Sequence, residues 1–120
     1  MRSPALSEHM ASWDQNDRSQ SGIPSDRLVK LYQVWGEPGY CIILTGNTML
    51  HPEQMEGPGN MVLYAPCETS ERMEQFRKLA SAAKAHGSLV LVQLSHPGRQ
   101  VGSYLNSSPV SAGDVKLDDR

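Results

Sequence analysis

Residues 77–100, RKLASAAKAHGSLVLVQLSHPGRQ, join the end of a helix to a strand through one glycine. Upstream of that glycine, apolar residues recur at helical spacing and predict a helix that begins after Ser70, with Glu71 and Glu74 in its first turns. Gly87 is expected to end this helix. The apolar run at residues 89–94 then predicts a buried strand. The helical stripe consists of Met73, Phe76, Leu79, Ala80 and Ala83.

The same order of elements occurs once more upstream. Ser25 is the predicted N-cap of a first helix, because it follows Pro24 and precedes an apolar stripe. Gly36 is expected to end that helix. The run YCIILTG, residues 40–46, is apolar on both faces, which is typical of a strand in a parallel sheet covered by helices. The stripe of this helix consists of Leu28, Leu31, Tyr32 and Trp35.

Repeated helix–glycine–strand units indicate a parallel sheet built from βαβ connections. Residues 1–10 are expected to hold the tail of an earlier strand, and residues 12–25 are expected to form a loop. A second loop, residues 47–69, is long enough to suggest a functional role. Barrels and doubly wound sheets both use such units, so the pattern leaves both architectures open.

Composition narrows the class of protein. The chain has 120 residues and a formal net charge of −2, which gives no reason to expect nucleic acid or an anionic membrane as a partner. No apolar stretch approaches the roughly 20 residues of a membrane helix, and the first residues lack the apolar centre of a signal peptide. Cys41 and Cys67 lack CxxC spacing, so we expect reduced thiols and a cytoplasmic location.

The candidate binding residues follow the predicted strands, since α/β proteins build their sites at the carboxyl ends of strands. Ser7, Gly46 and Gln93 hold such positions. The Gln93 amide carries donors and an acceptor together, which suits a flavin's pyrimidine edge, although a core amide bonded to backbone is the commoner role. Gly46 permits close approach of a ligand, but it could equally be a turn glycine. Ser7 is either a ligand donor or a capping serine.

His96 and Arg99 flank Pro97 and Gly98, which stiffen and bend the loop after the last strand. A lone histidine in a loop, such as His96, is usually solvated. Arg99 is as suited to bonding loop carbonyls as to holding a ligand. The histidines show no metal-ligand spacing, so no metal site is predicted. Neither GxGxxG nor GxxxxGK[ST] occurs.

Six segments, one of which contains the run QLSHPGRQ, resemble the Old Yellow Enzyme family of FMN-dependent NAD(P)H:flavin oxidoreductases. The resemblance spans about residues 4–117 and keeps the family's order. The segments are ASWDQND, GIPSDRLVKLYQVWG, ILTGN, MEGPGN, RKLASAAKAHGSLVLVQLSHPGRQV and PVSAGDVKL. Old Yellow Enzymes are TIM barrels, so the resemblance implies a barrel rather than a doubly wound sheet.

The resemblance also implies an FMN site at the barrel mouth. Ala5, Leu6 and Ser7 match the family's strand-one stretch, which would place Ser7 near the O4/N5 side of the flavin. Gly46 matches the small residue against which the flavin ring lies, and Gln93 matches the amide that bonds the pyrimidine edge. NAD(P)H would supply the hydride that FMN passes to an electron-poor alkene such as an enone. The resemblance assigns no catalytic residue to this chain.

The chain departs from the family in length and at two residues. Ala5 stands where the family has Pro, and His9 stands where this branch has Arg. Residues 1–120 offer only about three of the eight strands of a barrel, so we interpret them as an N-terminal portion truncated at both ends. The family's substrate-binding His pair and phosphate loops lie outside the matched segments. We therefore expect this chain alone to be at best marginally folded and to bind FMN weakly or not at all. The alternative is a non-catalytic fragment that pairs with another chain through its open sheet edge.

Overall fold

The computed structural model describes residues 7–113 and 115. Its elements are α1 (Asp26–Gly36), β1 (Ile42–Met49), β2 (Met61–Val62), α2 (Ser70–Lys84) and β3 (Leu89–Ser95). The three strands form one parallel sheet in the order β2-β1-β3. The predicted α/β class is confirmed, and two helix–strand units, α1–β1 and α2–β3, carry most of the fold.

Local sequence signals account for both helices. The Ser25 hydroxyl caps α1 by accepting the Leu28 N–H at 3.2 Å. The cap of α2 is Thr69, whose hydroxyl accepts the Arg72 N–H at 3.1 Å, so this helix begins at Ser70 rather than after it. Each cap satisfies a backbone donor that the first helical turn leaves unpaired.

The two glycines expected to end the helices act differently. Gly87 follows α2 with φ +90°, the left-handed conformation that ends helices. Gly36 is the last residue of α1, but the positive φ lies at Gly39. A Cβ on Gly36 would lie 2.8 Å from the Ala83 carbonyl oxygen of α2. Gly36 therefore permits the close approach of the two helices.

The core lies between the two helices and one face of the sheet. Its central cluster includes Tyr32, which is fully buried, and half-buried residues such as Trp35 and Val90 pack against it. A second cluster of Met49, Met55 and Val62 lies toward the end of β1. The buried members of the central cluster are Leu28, Tyr32, Ile43, Met61, Leu79 and Ala83.

Two sequence-based boundaries were wrong. β1 begins at Ile42 and continues to Met49, and the predicted 47–69 loop also contains the short strand β2. The extension of β1 depends on pairing with its neighbours, which local composition does not encode. The predicted strand tail at residues 1–10 lies largely outside the described residues, and residues 7–10 form no strand.

The expectation that β3 is buried was also wrong. Leu89, Leu91 and Leu94 are 55%, 44% and 58% exposed. Within the described residues β3 pairs along one edge only, with β1. Its apolar sequence has the composition of a strand covered on both faces. In the part of the chain that the structure describes, much of this strand is exposed to solvent.

Candidate functional site

Polar side chains meet at the carboxyl ends of β1 and β3. Asn47 and Gln93 lie opposite each other in the β1–β3 register, and the Gln93 Nε2 donates to Asn47 Oδ1 at 2.6 Å. Ser7, from the segment before α1, accepts the Asn47 Nδ2–H at 2.9 Å. We call Ser7, Asn47, Glu56 and Gln93 the polar corner. It lies where parallel α/β sheets place their ligands.

A bulge in β1 brings Asn47 opposite Gln93. The pairing with β3 shifts between Leu44 and Asn47, and the Thr45 hydroxyl accepts the Gln93 N–H at 3.0 Å. The Gly46 N–H donates instead to Glu8 Oε1 at 2.9 Å and to the Tyr32 hydroxyl at 3.0 Å. The bulge is thus held from outside the sheet, and bulges are over-represented next to active sites.

The Tyr32 hydroxyl supports the bulge from the core. It donates to the Glu8 carboxylate, which links the segment before α1 to the helix itself. Burial raises the pKa of Tyr32 far above its ordinary value of 10, and the hydrogen bond to Glu8 raises it further. The hydroxyl therefore stays protonated and remains a donor to Glu8 throughout the neutral range.

Glu56 anchors the exposed end of the polar corner. Its Oε2 accepts the Ser7 hydroxyl and, at 2.7 Å, the Asn47 Nδ2–H. The Ser7 hydrogen bond is the main cause that lowers the pKa of Glu56 below its ordinary 4.5, and burial opposes it. Glu56 is therefore a carboxylate near neutral pH and accepts hydrogen bonds only.

Gln93 ends this chain of hydrogen bonds with an unused acceptor. Its Oε1 is buried and has no hydrogen-bond partner among the described residues. A buried carbonyl oxygen without a partner is uncommon, because losing water without replacement costs free energy. Such an atom at a strand end marks a place where a ligand donor fits.

The structure brings together three of the five predicted binding residues. Ser7 and Gln93 both contact Asn47, and Gly46 is the residue before Asn47. Ala5 and Leu6 lie outside the described residues. The N–H of Gly46 is already used by Glu8 and Tyr32. The Ser7 hydroxyl donates to Glu56, so donation to a ligand would require Ser7 to release that carboxylate.

His96 and Arg99 lie away from the polar corner's hydrogen bonds. Both are exposed, and Arg99 falls in the 3-10 turn Gly98–Gln100. The His96 Nδ1 accepts the Gly98 N–H at 3.1 Å, so the neutral ring carries its hydrogen on Nε2. His96 and His51 line an open groove of about 640 Å³.

Sequence reasoning missed four residues of this region: Glu8, Tyr32, Asn47 and Glu56. Asn47 was assigned to a loop, and Tyr32 was assigned to the core without a polar role. An asparagine directly after Gly46 at a predicted strand end is a signal that could have found Asn47. Glu8 and Glu56 reach the site through loops, and no local pattern marks them.

Further features of the described residues concern metal ligands, membrane-spanning helices and the state of the cysteines. No group of three or more His, Cys, Asp or Glu side chains there lies close enough to hold a metal ion. None of the helices in that part of the chain is both long and apolar enough to cross a bilayer. Cys41 and Cys67 are free thiols.

The described residues form βα units of a parallel α/β fold, and the polar corner lies at the carboxyl ends of its strands. The chain is similar to solved Old Yellow Enzyme structures. The homologue from Zymomonas mobilis superposes with a TM-score of 0.73 and 20% identity, covering 96% of this chain and 29% of that chain. The Old Yellow Enzyme from Trypanosoma cruzi superposes with a TM-score of 0.65 and 22% identity, covering 83% of this chain and 24% of that chain. These likenesses show the fold, which is that of part of a TIM barrel.

Sequence comparison gives the relatives. The chain is 46% identical over 114 residues to the NADH-dependent flavin oxidoreductase nadA of Aspergillus parasiticus, covering 94% of this chain and 26% of that protein. It is 26% identical over 111 residues to the NADH-dependent flavin oxidoreductase iliE of Hypocrea jecorina, covering 86% of this chain and 28% of that protein. No protein-family model matches it. The expected resemblance is confirmed: the chain is homologous to part of the NADH-dependent flavin oxidoreductases and spans about a quarter of their length.

Proposed function

We propose that this chain forms part of the FMN site of an NADH-dependent flavin oxidoreductase of the ene-reductase type. The observation that carries the proposal is the Gln93 amide at the end of β3. Its nitrogen is held by Asn47, and its buried Oε1 has no partner among the described residues. The relatives named NADH-dependent flavin oxidoreductases support the assignment of the cofactor and the hydride donor.

The residues of the polar corner fit a flavin. The pyrimidine ring of FMN carries an imide N–H between two carbonyls, and Gln93 Oε1 is an acceptor suited to that N–H. Gly46 at the β1 bulge has no side chain, which is consistent with a ring lying against the backbone. Ser7 would contact the ring's O4/N5 side only after releasing Glu56.

Bound FMN would supply the redox chemistry, taking a hydride from NADH and giving it to an electron-poor alkene such as an enone. The residues of this chain act by binding and orientation. Gln93 fixes the pyrimidine edge, and the Glu8–Tyr32 pair holds the bulge that places Asn47. No described residue of this chain is assigned a proton transfer.

A chimera tests this proposal. The 114 matching residues of the Aspergillus parasiticus relative would be replaced by those of this chain, and the purified protein assayed for bound flavin and for NADH oxidation with an enone acceptor. We expect a yellow, active chimera. A Gln93→Ala chimera should bind FMN at least about tenfold more weakly, because a buried hydrogen bond is lost. A folded chimera without flavin would contradict the proposal.

The exposed apolar residues of β3 favour a second role, which is association with further βα units. An apolar groove of about 220 Å³ runs between β3 and α2, lined by Val90, Val92 and Phe76 among others. The chain covers 29% of the Old Yellow Enzyme chain that it superposes on. We propose that the remaining βα units of such a barrel, on the same or another polypeptide, cover this groove and pair with β3.

A further inference from the structure

The hydrogen bonds of the polar corner have a fixed order of donors and acceptors, which starts at Glu56. An ionised carboxylate has no hydrogen to donate, so the Asn47 atom 2.7 Å from Glu56 Oε2 must be its nitrogen, Nδ2. The same amide then turns its oxygen, Oδ1, toward Gln93. The Gln93 atom 2.6 Å from that oxygen must in turn be its nitrogen, Nε2.

The reverse arrangement is excluded by chemistry. If the Asn47 amide were flipped, its oxygen would face the Glu56 carboxylate and its nitrogen would face the Gln93 nitrogen. If Gln93 alone were flipped, its oxygen would lie against the oxygen of Asn47. Each flip places two like groups at hydrogen-bond distance, so the charge of Glu56 decides the orientation of both amides.

We propose that Glu56 is a positioning residue that, through Asn47, holds the Gln93 amide with its carbonyl oxygen free for the ligand. The ligand must therefore present a hydrogen-bond donor, either N–H or O–H, at this point. Identifying that donor as the N3–H of a flavin rests on the function proposed above. A ring that presents only acceptors or a methyl group there is excluded, so the polar corner selects its ligand by hydrogen-bond polarity.

The first test needs no ligand. Side-chain amide signals of Asn47 and Gln93 are followed by NMR in the free chain, in Glu56→Gln and in the matched control Glu53→Gln, which changes an exposed glutamate of the same loop. A neutral amide at position 56 can present either its oxygen or its nitrogen to Asn47. The Asn47 amide is then no longer held in one orientation. We expect the Gln93 Nε2 hydrogens to exchange at least about threefold faster in Glu56→Gln and at the original rate in Glu53→Gln. Unchanged Gln93 exchange in Glu56→Gln overturns the proposal.

A second measurement on the unmodified chain covers the case in which Glu56→Gln does not fold. The pH is lowered while the Glu56 carboxyl carbon and the Gln93 side-chain amide are followed together. Ser7, Asn47, Asn60 and the titratable His9 surround Glu56. We expect the Gln93 signals to shift with the same pH midpoint as the Glu56 carboxyl carbon. A Gln93 midpoint that instead follows the ring of His9, or no movement at all, contradicts it.

The donor requirement is tested with lumiflavin and 3-methyllumiflavin as probes, added to the free chain. We expect the methylated ring to need at least about tenfold higher concentration to shift the Gln93 signals. Equal binding of both rings overturns the donor requirement. Binding of neither ring, together with a folded chimera that holds no flavin, overturns the flavin assignment, while the role of Glu56 is still judged by the amide exchange.

Discussion

The Arg72 guanidinium is buried, with 1% of the residue exposed, and it binds carbonyl oxygens rather than a carboxylate. Its Nη2 donates to the carbonyls of Ser19 and Ser21 at 2.7 and 3.0 Å. Its Nη1 reaches Val62 at 3.0 Å, and its Nε reaches Cys67 at 2.9 Å. One side chain on α2 thus fixes the loop before α1, the strand β2 and the turn before α2.

Replacing Arg72 is expected to destabilise the fold severely. Arg72→Met keeps much of the apolar stem but leaves four carbonyls without their donor, and hydrogen bonds from a charged group contribute about 1.5–3 kcal/mol each. We expect urea denaturation to show a loss of at least about 3 kcal/mol in the free energy of unfolding. Arg77→Met on the same helix is the control, because Arg77 is exposed and, among the described residues, pairs only with Glu74. This variant should lose less than about 1 kcal/mol. Equal losses would contradict the role of Arg72.

The hydrogen bond from Ser7 sets the titration of Glu56. Because this bond favours the ionised form, the pKa of Glu56 lies below 4.5, and the stability it provides is present above that pH and is lost as pH falls through the lowered pKa. Ser7→Ala should move the pKa of Glu56 upward toward its ordinary value. NMR titration of the Glu56 carboxyl carbon measures this directly, and an unchanged or lower midpoint in Ser7→Ala would contradict the assigned cause.

At the scale of elements, α1 and α2 cross at a glycine. A Cβ on Gly36 would lie 2.8 Å from the Ala83 oxygen and 3.1 Å from the Ala82 oxygen, both backbone atoms that cannot rotate away. Gly36→Ala should therefore cost about 1–3 kcal/mol of stability despite alanine's higher helix propensity. Gly113→Ala is the control, since a Cβ there meets nothing within 4 Å. Thermal denaturation compares the two, and a neutral Gly36→Ala would contradict the close crossing.

Local signals predicted the helices well, and contacts between distant segments explain what they missed. The Ser25 cap of α1 and the apolar stripes of both helices are local features, so sequence alone located them, whereas α2 begins one residue earlier than predicted, after its Thr69 cap. The bulge of β1 depends on Glu8 and Tyr32, which lie 38 and 14 residues from Gly46. Gln93 was identified because an amide ends an apolar run, whereas Glu56 needed the folded loop to bring it to Asn47.

At the scale of the molecule, the open face of β3 should make the chain associate. Val92 on β3 and Val34 on α1 are both 46% exposed, which makes them a matched pair. Sedimentation velocity at about 100 μM should show species larger than the monomer, because exposed apolar strands pair with other chains. Val92→Lys should shift the distribution toward monomer, and Val34→Lys should not. Equal effects of the two substitutions would show that association does not use β3.

The central claim is that the polar corner receives the pyrimidine edge of a flavin. The most direct measurement is an NMR titration of the isotopically labelled 120-residue chain with FMN up to millimolar concentration, which detects weak binding. The side-chain amides of Asn47 and Gln93 should shift, while that of Gln75 on α2, which bonds to Asp26 on α1, should not. Shifts that appear in the groove of His51 and His96 but not at Gln93 would contradict the claim.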